Sequence, residues 1–183
     1  MLSQSVFAFL RKIANARQDN DLFCSECFRH MNESITITYS TVLNRCKMLS
    51  AFEGRDRYDA AGRDLYSQVA IAEQDSDLIM DYLKRALVAV REGLDDMITA
   101  IDVTSSSQEV WTLRSVQRRW DKKGYTKLGT NLHEALAASV MAAWMSYKGI
   151  QDRSTFYQTL YDNEMKLISD NLHTKAAPTR PTT

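Results

Sequence analysis

No proline occurs in this chain before Pro178, and the second and last is Pro181. Proline is the strongest helix breaker, costing about 3 kcal/mol in a helix interior. A proline-free stretch of this length, with only 6 glycines in 183 residues, leaves the backbone free to run in long helices. The mixture of 44% apolar and 25% charged residues is that of a globular domain large enough for a substantial core. The pattern predicts one domain over residues 1–172 and a tail over 173–183. Its class is mainly α: a helical bundle with a small β element and an extended C-terminal arm.

Apolar periodicity places the elements. Val6, Phe9, Leu10 and Ile13 share one face and predict a helix from Ser3 to Arg17, broken by Asp19-Asn20-Asp21. The stretch Ile35-Thr36-Ile37-Thr38-Tyr39 alternates like a strand. Over a longer window, however, Ile35, Tyr39, Val42, Leu43, Cys46, Leu49 and Phe52 recur at helical spacing. A helix is therefore expected from Asn32 to Ala51, stopped by Gly54. The charged segment 53–63 reads as a loop, and Leu65 to Ala72 as a short helix. Asp75-Ser76-Asp77 caps the next helix, the central one. Its stripe of Ile79, Leu83, Leu87, Val90, Leu94, Met97 and Ile101 carries it to about Ile101. Glu109 to Gln117 is the one expected strand, because Trp111, Leu113 and Ser115 alternate with Val110, Thr112 and Arg114. A basic turn, Arg118 to Gly124, closes it. Two helices follow, Asn131 to Lys148 and, capped by Asp152 or Ser154, a last one to Leu172. They pair as an αα-hairpin about Gly149.

Charge narrows the functional classes. The 23 basic and 23 acidic residues cancel, which argues against broad electrostatic binding of nucleic acid. No run of 18 apolar residues is present, so no membrane-spanning helix is expected. In Met1 to Lys12 the charge follows the apolar run, the reverse of a secretory signal, so the chain is expected to stay where it is made. Three cysteines without a dense pattern fit a reducing compartment.

Three constellations carry candidate chemistry. Cys24, Cys27 and His30, with Cys46 downstream, could supply four zinc ligands. No second close pair follows at finger spacing, so packing is the favoured reading and neither metal nor cofactor is expected. The acidic residues Asp77, Asp81, Glu92, Asp95 and Asp96 lack the Glu-x-x-His pairs of di-metal bundles and read as a solvated face. Arg114, Arg118, Arg119, Lys122 and Lys123, interleaved with Trp111 and Trp120, make a basic patch. It is either a turn beside two core tryptophans or a contact for an acidic subunit or nucleic acid. His30, His133 and His173 are scattered, and no nucleophile–base–acid set or phosphate loop can be assembled, so no enzyme activity is expected. The tail, with Lys175, Pro178, Arg180 and Pro181, offers no apolar face and would gain order only on a partner.

The order of parts resembles a known family. Helices come first, with Ser67-Gln68-Val69-Ala70-Ile71-Ala72-Glu73-Gln74-Asp75-Ser76-Asp77 leading into a long one. A strand with a tryptophan and a basic turn follows, then the helical hairpin, ending in Leu172-His173-Thr174-Lys175 and a Pro/Arg tail. From about residue 31 onward this is similar to the head–tail connector (portal adaptor) proteins of tailed bacteriophages, particularly those of gut Bacteroidales phages. The resemblance implies a virion structural protein of the neck region, assembled in the host cytoplasm, in a homo-oligomeric ring of about twelve copies. Its partners would be the portal protein and the next tail or connector ring, with passing contact to packaged DNA and none to a membrane. Lys175, Pro178, Arg180 and Pro181 would dock on the portal or a neighbouring subunit, and the region from Glu109 to Lys123 would touch a neighbour or the next ring. The alternative reading is a bacterial helical-bundle interaction or regulatory protein.

Overall fold

The computed structural model describes residues 32–55, 61, 62, 64, 66–115 and 122–173, the stretch 122–126 by its backbone alone. The fold is mainly helical with a small antiparallel sheet. Strand β1 (Asn32–Thr38) runs directly into helix α1 (Tyr39–Gly54). A one-turn helix α2 (Tyr66–Val69) and a 3-10 turn (Glu73–Asp75) lead to α3 (Ser76–Gly93). A second 3-10 turn precedes the hairpin β2 (Ile98–Ser105) and β3 (Gln108–Arg114). Two long helices, α4 (Lys122–Tyr147) and α5 (Gln151–His173), complete the order.

The αα-hairpin of α4 and α5 is the largest contact between elements, and α1 and α3 pack on α4. Gly149 holds φ at +76° in the connecting turn, a left-handed conformation that disfavours other residues. Alanines 135, 137 and 142 lie buried on α4 and let the neighbouring helices approach. The core is continuous, with Leu132, Leu136, Val140, Met141, Trp144 and Met145 at its centre. Trp144 donates its ring N–H to the Val69 carbonyl at 2.7 Å. The Ser50 hydroxyl accepts the Ile71 N–H at 3.0 Å. These two bonds tie the short helix α2 to α4 and α1.

The sheet has the order β1-β3-β2, antiparallel throughout. Its inner face carries Ile35, Ile37, Trp111 and Leu113, all buried. A Cβ on Gly129 of α4 would stand 3.5 Å from Ile35, so sheet and helix meet closely there.

Three sequence expectations are corrected. The helix expected from Asn32 begins only at Tyr39, and residues 32–38 form a strand. Ile35 and Ile37 alternate inward and pair across to Trp111 and Glu109. Ile35 and Tyr39 also satisfy an i, i+4 spacing by coincidence, which is why a local window misreads them. The helix expected to reach Ile101 ends at Gly93, and Ile98 opens β2. Leu94 takes φ −120°, ψ 15°, outside the helical region, and the β-branched residues Ile98, Thr99, Ile101, Val103 and Thr104 find a partner strand. The sheet therefore has three strands rather than one. Helix α4 also begins earlier than expected, at Lys122, within the segment read as a basic turn. The expected helix from Ser3 to Arg17 lies outside the described residues.

Candidate functional site

Three polar clusters and one apolar surface stand out among the described residues. The first lies where sheet, α1 and α3 meet. Alternation along β3 turns Glu109 to the same inner face as Trp111 and Leu113. Its buried carboxylate accepts the Tyr39 hydroxyl at 2.6 Å, the Trp111 ring N–H at 2.7 Å and the Arg91 guanidinium. Arg91 also lies over the Trp111 ring, 5.4 Å from its centroid. Burial acts most strongly on Glu109 and pushes its carboxyl upward. The hydrogen bonds from Tyr39, Trp111 and Arg91, with the Arg91 charge, outweigh it and hold the group below the usual carboxylate range. Tyr39 responds in the opposite sense. Burial, then the bond to Glu109 and its negative charge, push the phenol up to about 12. Such a set holds its protons fixed across the neutral range, which suits a structural clasp.

The second cluster joins the last turn of α1 to the first turns of α5. Buried Glu53 takes a bidentate contact from Arg153, 2.7 Å from Nε and 2.6 Å from Nη2, and accepts the Tyr157 hydroxyl at 3.1 Å. Burial and the Glu53 charge raise the Tyr157 phenol, and the hydrogen bond to Glu53 raises Arg153 further above its already high value. The planar fork of Arg matches a carboxylate edge, which makes this the stronger kind of ion pair.

The third is a cleft of about 200 Å³ lined by Arg45, Leu49, Glu134, Ala138, Tyr157, Leu160 and Glu164. Arg45 reaches Glu134 at 3.0 Å, and Asn131 donates to Glu164 at 2.6 Å. Its polar groups are mutually satisfied on an apolar floor, and none is poised as a nucleophile or base.

Among exposed apolar side chains, α1 carries Met48 and Phe52, 63% and 74% accessible, and α5 carries Phe156 at 44%. Arg153, held by Glu53, lies 4.9 Å from the Phe156 centroid. Phe52 and Phe156 thus sit at the same end of the bundle, around one ion pair.

The residues singled out from sequence are placed as follows. Trp111 is fully buried within the chain and bonded to Glu109, so it belongs to the core and presents no surface to another subunit. Arg114, three positions on, is exposed on the opposite face of β3. Lys122 and Lys123 open α4. Arg118, Arg119 and Trp120 lie outside the described residues, as do Lys175, Pro178, Arg180 and Pro181. So do Cys24, Cys27 and His30. Cys46 is buried in the core and directs its thiol to the Ala137 carbonyl at 3.8 Å. Burial raises that thiol to about 12. His133 bonds the Gly129 carbonyl within its own helix at 2.7 Å. Among the acidic residues, Asp77 and Glu92 are exposed on α3, and Asp81 pairs with Arg85 at 2.6 Å. Among the described residues no group of His, Cys, Asp and Glu is arranged to hold a metal. No described helix is long and apolar enough to cross a membrane.

Sequence reasoning missed Glu109 and Glu53. The signal for Glu109 was present: the alternation through Trp111 and Leu113, continued two residues back, falls on it. Glu53 had none, because its partners stand a hundred residues downstream. No protein-family model, curated protein or solved structure matches the chain.

Proposed function

We propose that the chain is a non-catalytic structural subunit, a head–tail connector that forms a ring between the portal and the tail of a bacteriophage virion. The order of parts that carries the resemblance supports this reading. So does the mainly helical body with its small sheet, which is the kind of fold the resemblance implies. The observation that carries it furthest is the anchoring of α5. Ile168 and Leu172 are both buried, so the last helix is held by the core up to its end at His173. The Pro- and Arg-containing segment 174–183 therefore departs from a fixed point on the body, as an arm that binds a separate ring requires. Main-chain hydrogen bonds to the partner would supply affinity, and Pro178 and Pro181 would lower the cost of ordering it.

The test is the mass of the purified protein, alone and mixed with the products of its neighbouring genes, a portal ring among them on this reading, by mass photometry. A species carrying about twelve copies, alone or on the portal, is expected. Removing residues 174–183 is expected to abolish portal binding while leaving the melting temperature within about 2 °C, since Leu172 is the last core residue among those described. A monomer or dimer indifferent to the portal overturns the connector reading and favours a helical interaction or regulatory protein.

A further inference from the structure

The cleft lined by α1, α4 and α5 is held open by the protein's own packing. Glu53 of α1 is gripped by Arg153 and Tyr157 of α5, which pins the two helices together at one end. Leu49 and Arg45 lie about one and two turns back from Glu53 along α1, and Leu160 and Glu164 about one and two turns on from Tyr157 along α5. Glu134 and Ala138, about one turn apart on α4, complete the lining. Tyr157 belongs to both features, since its hydroxyl bonds Glu53 while the residue lines the cleft. The lining therefore stands in place without a ligand, as small-molecule sites commonly do.

Three of the lining residues are charged: Arg45, Glu134 and Glu164. Arg45 is engaged by Glu134, with Nε 3.0 Å from one carboxylate oxygen and both Nε and Nη2 3.1 Å from the other. Glu164 differs. It is half-buried and accepts the Asn131 side-chain amide at 2.6 Å, a neutral donor. Among the described residues no basic side chain pairs with it. The cleft thus keeps one uncompensated negative charge beside the apolar wall of Leu49, Ala138 and Leu160. That combination selects among ligands. An anion would face Glu164 with the Arg45 guanidinium already engaged. A neutral apolar group would strip water from the carboxylate and return nothing. A metal ion would find too few ligands, because no described group of His, Cys, Asp and Glu can hold one. A cation at the end of an apolar stem satisfies both parts, with the stem along the wall and the charge at the carboxylate. The volume of about 200 Å³ suits one such group and falls below the roughly 300–1,000 Å³ of sites for drug-sized ligands.

We propose that this cleft is a binding site for an alkylguanidinium or alkylammonium group, its stem on Leu49, Ala138 and Leu160 and its charge at Glu164. Two sources share that chemistry: a free small amine, and the Lys175 or Arg180 side chain of the segment 174–183. The site does not depend on the connector reading.

Titration of full-length protein with n-butylguanidinium, followed by NMR shifts, tests it. Three proteins are compared: wild type, Glu164→Gln, and a double variant with Lys175→Gln and Arg180→Gln. Saturable shifts at the Asn131 side-chain amide, Ala138 and Leu160 are expected, with a Kd of about 1 mM. N-butylurea has nearly the same shape without the charge and should bind at least about tenfold more weakly. Glu164→Gln keeps an acceptor for Asn131 and nearly the same volume. Its melting temperature should hold while its affinity for the guanidinium falls to that for the urea. The double variant assigns the source. If the chain's own segment fills the cleft, this variant binds the probe more tightly than wild type. Equal affinity assigns the site to a free amine, and either result upholds it. Absence of cleft shifts in both wild type and the double variant, up to about 20 mM probe, overturns the proposal. So does equal binding of the guanidinium and the urea. Undiminished binding by Glu164→Gln overturns it as well, because the cation then sits elsewhere. The portal mixture decides the connector reading separately.

Discussion

Glu109 makes the pH response of this protein predictable. Its carboxyl titrates lower in the folded chain than its ordinary 4.5. It therefore contributes stability that is fully present above the unfolded value and is lost as pH falls through the folded one. Glu109→Gln should remove that share of acid sensitivity and lower stability at neutral pH by about 3 kcal/mol, because Arg91 loses its countercharge. Denaturant melts of both proteins between pH 3 and 7 measure this, and parallel curves would contradict it. Cys46 gives a second prediction. A buried thiol raised to about 12 is a poor nucleophile. In a chain with Cys24 and Cys27 changed to Ser, Cys46 should resist a thiol reagent at pH 8 and react at once in denaturant. A fast native reaction would show that the thiol is reachable. Neither clasp could be foreseen in full from the chain: the alternation of β3 points Glu109 inward but does not name Tyr39 and Arg91 as its partners, and Glu53 looks like any surface glutamate until Arg153 and Tyr157 arrive.

At the scale of elements, the sequence announces what is local and hides what is not. The hairpin of α4 and α5 was legible because each helix has its own apolar stripe and Gly149 marks the turn. The stripe of α3 was equally clear from Ile79 to Val90. Strands β1 and β2 were hidden because their decisive neighbour is β3, and their apolar residues meet a helical spacing by chance. Gly93 was the available warning, a helix stop that the stripe overruled. The two glycines respond differently to a methyl group. At Gly149 nothing stands within 4 Å of the added carbon, so Gly149→Ala costs only backbone strain, about 1 kcal/mol. At Gly93 the methyl would meet the end of the Met165 side chain at 2.7 Å. That flexible end can swing aside while alanine gains helix propensity, so Gly93→Ala should change stability by less than about 1 kcal/mol. Thermal melts separate the two, and a larger loss at Gly93 would mean that Met165 has nowhere to go.

For the whole molecule, the central strand of the sheet is also the last of the described strands along the chain. β3 meets β2 across a turn of two residues, but it waits for β1 from the far side of α1, α2 and α3. Closing the first loop is fast and closing the second is slow, because far more chain must be gathered before any bond rewards it. The hairpins of β2 with β3 and of α4 with α5 can assemble early, and β1 has a place to dock only once they exist. A conservative change on β1, such as Ile37→Val, should therefore cost about 1 kcal/mol and express it mainly as faster unfolding, with the folding rate hardly altered. The strand that precedes all other described elements along the chain would be the one that joins last in time.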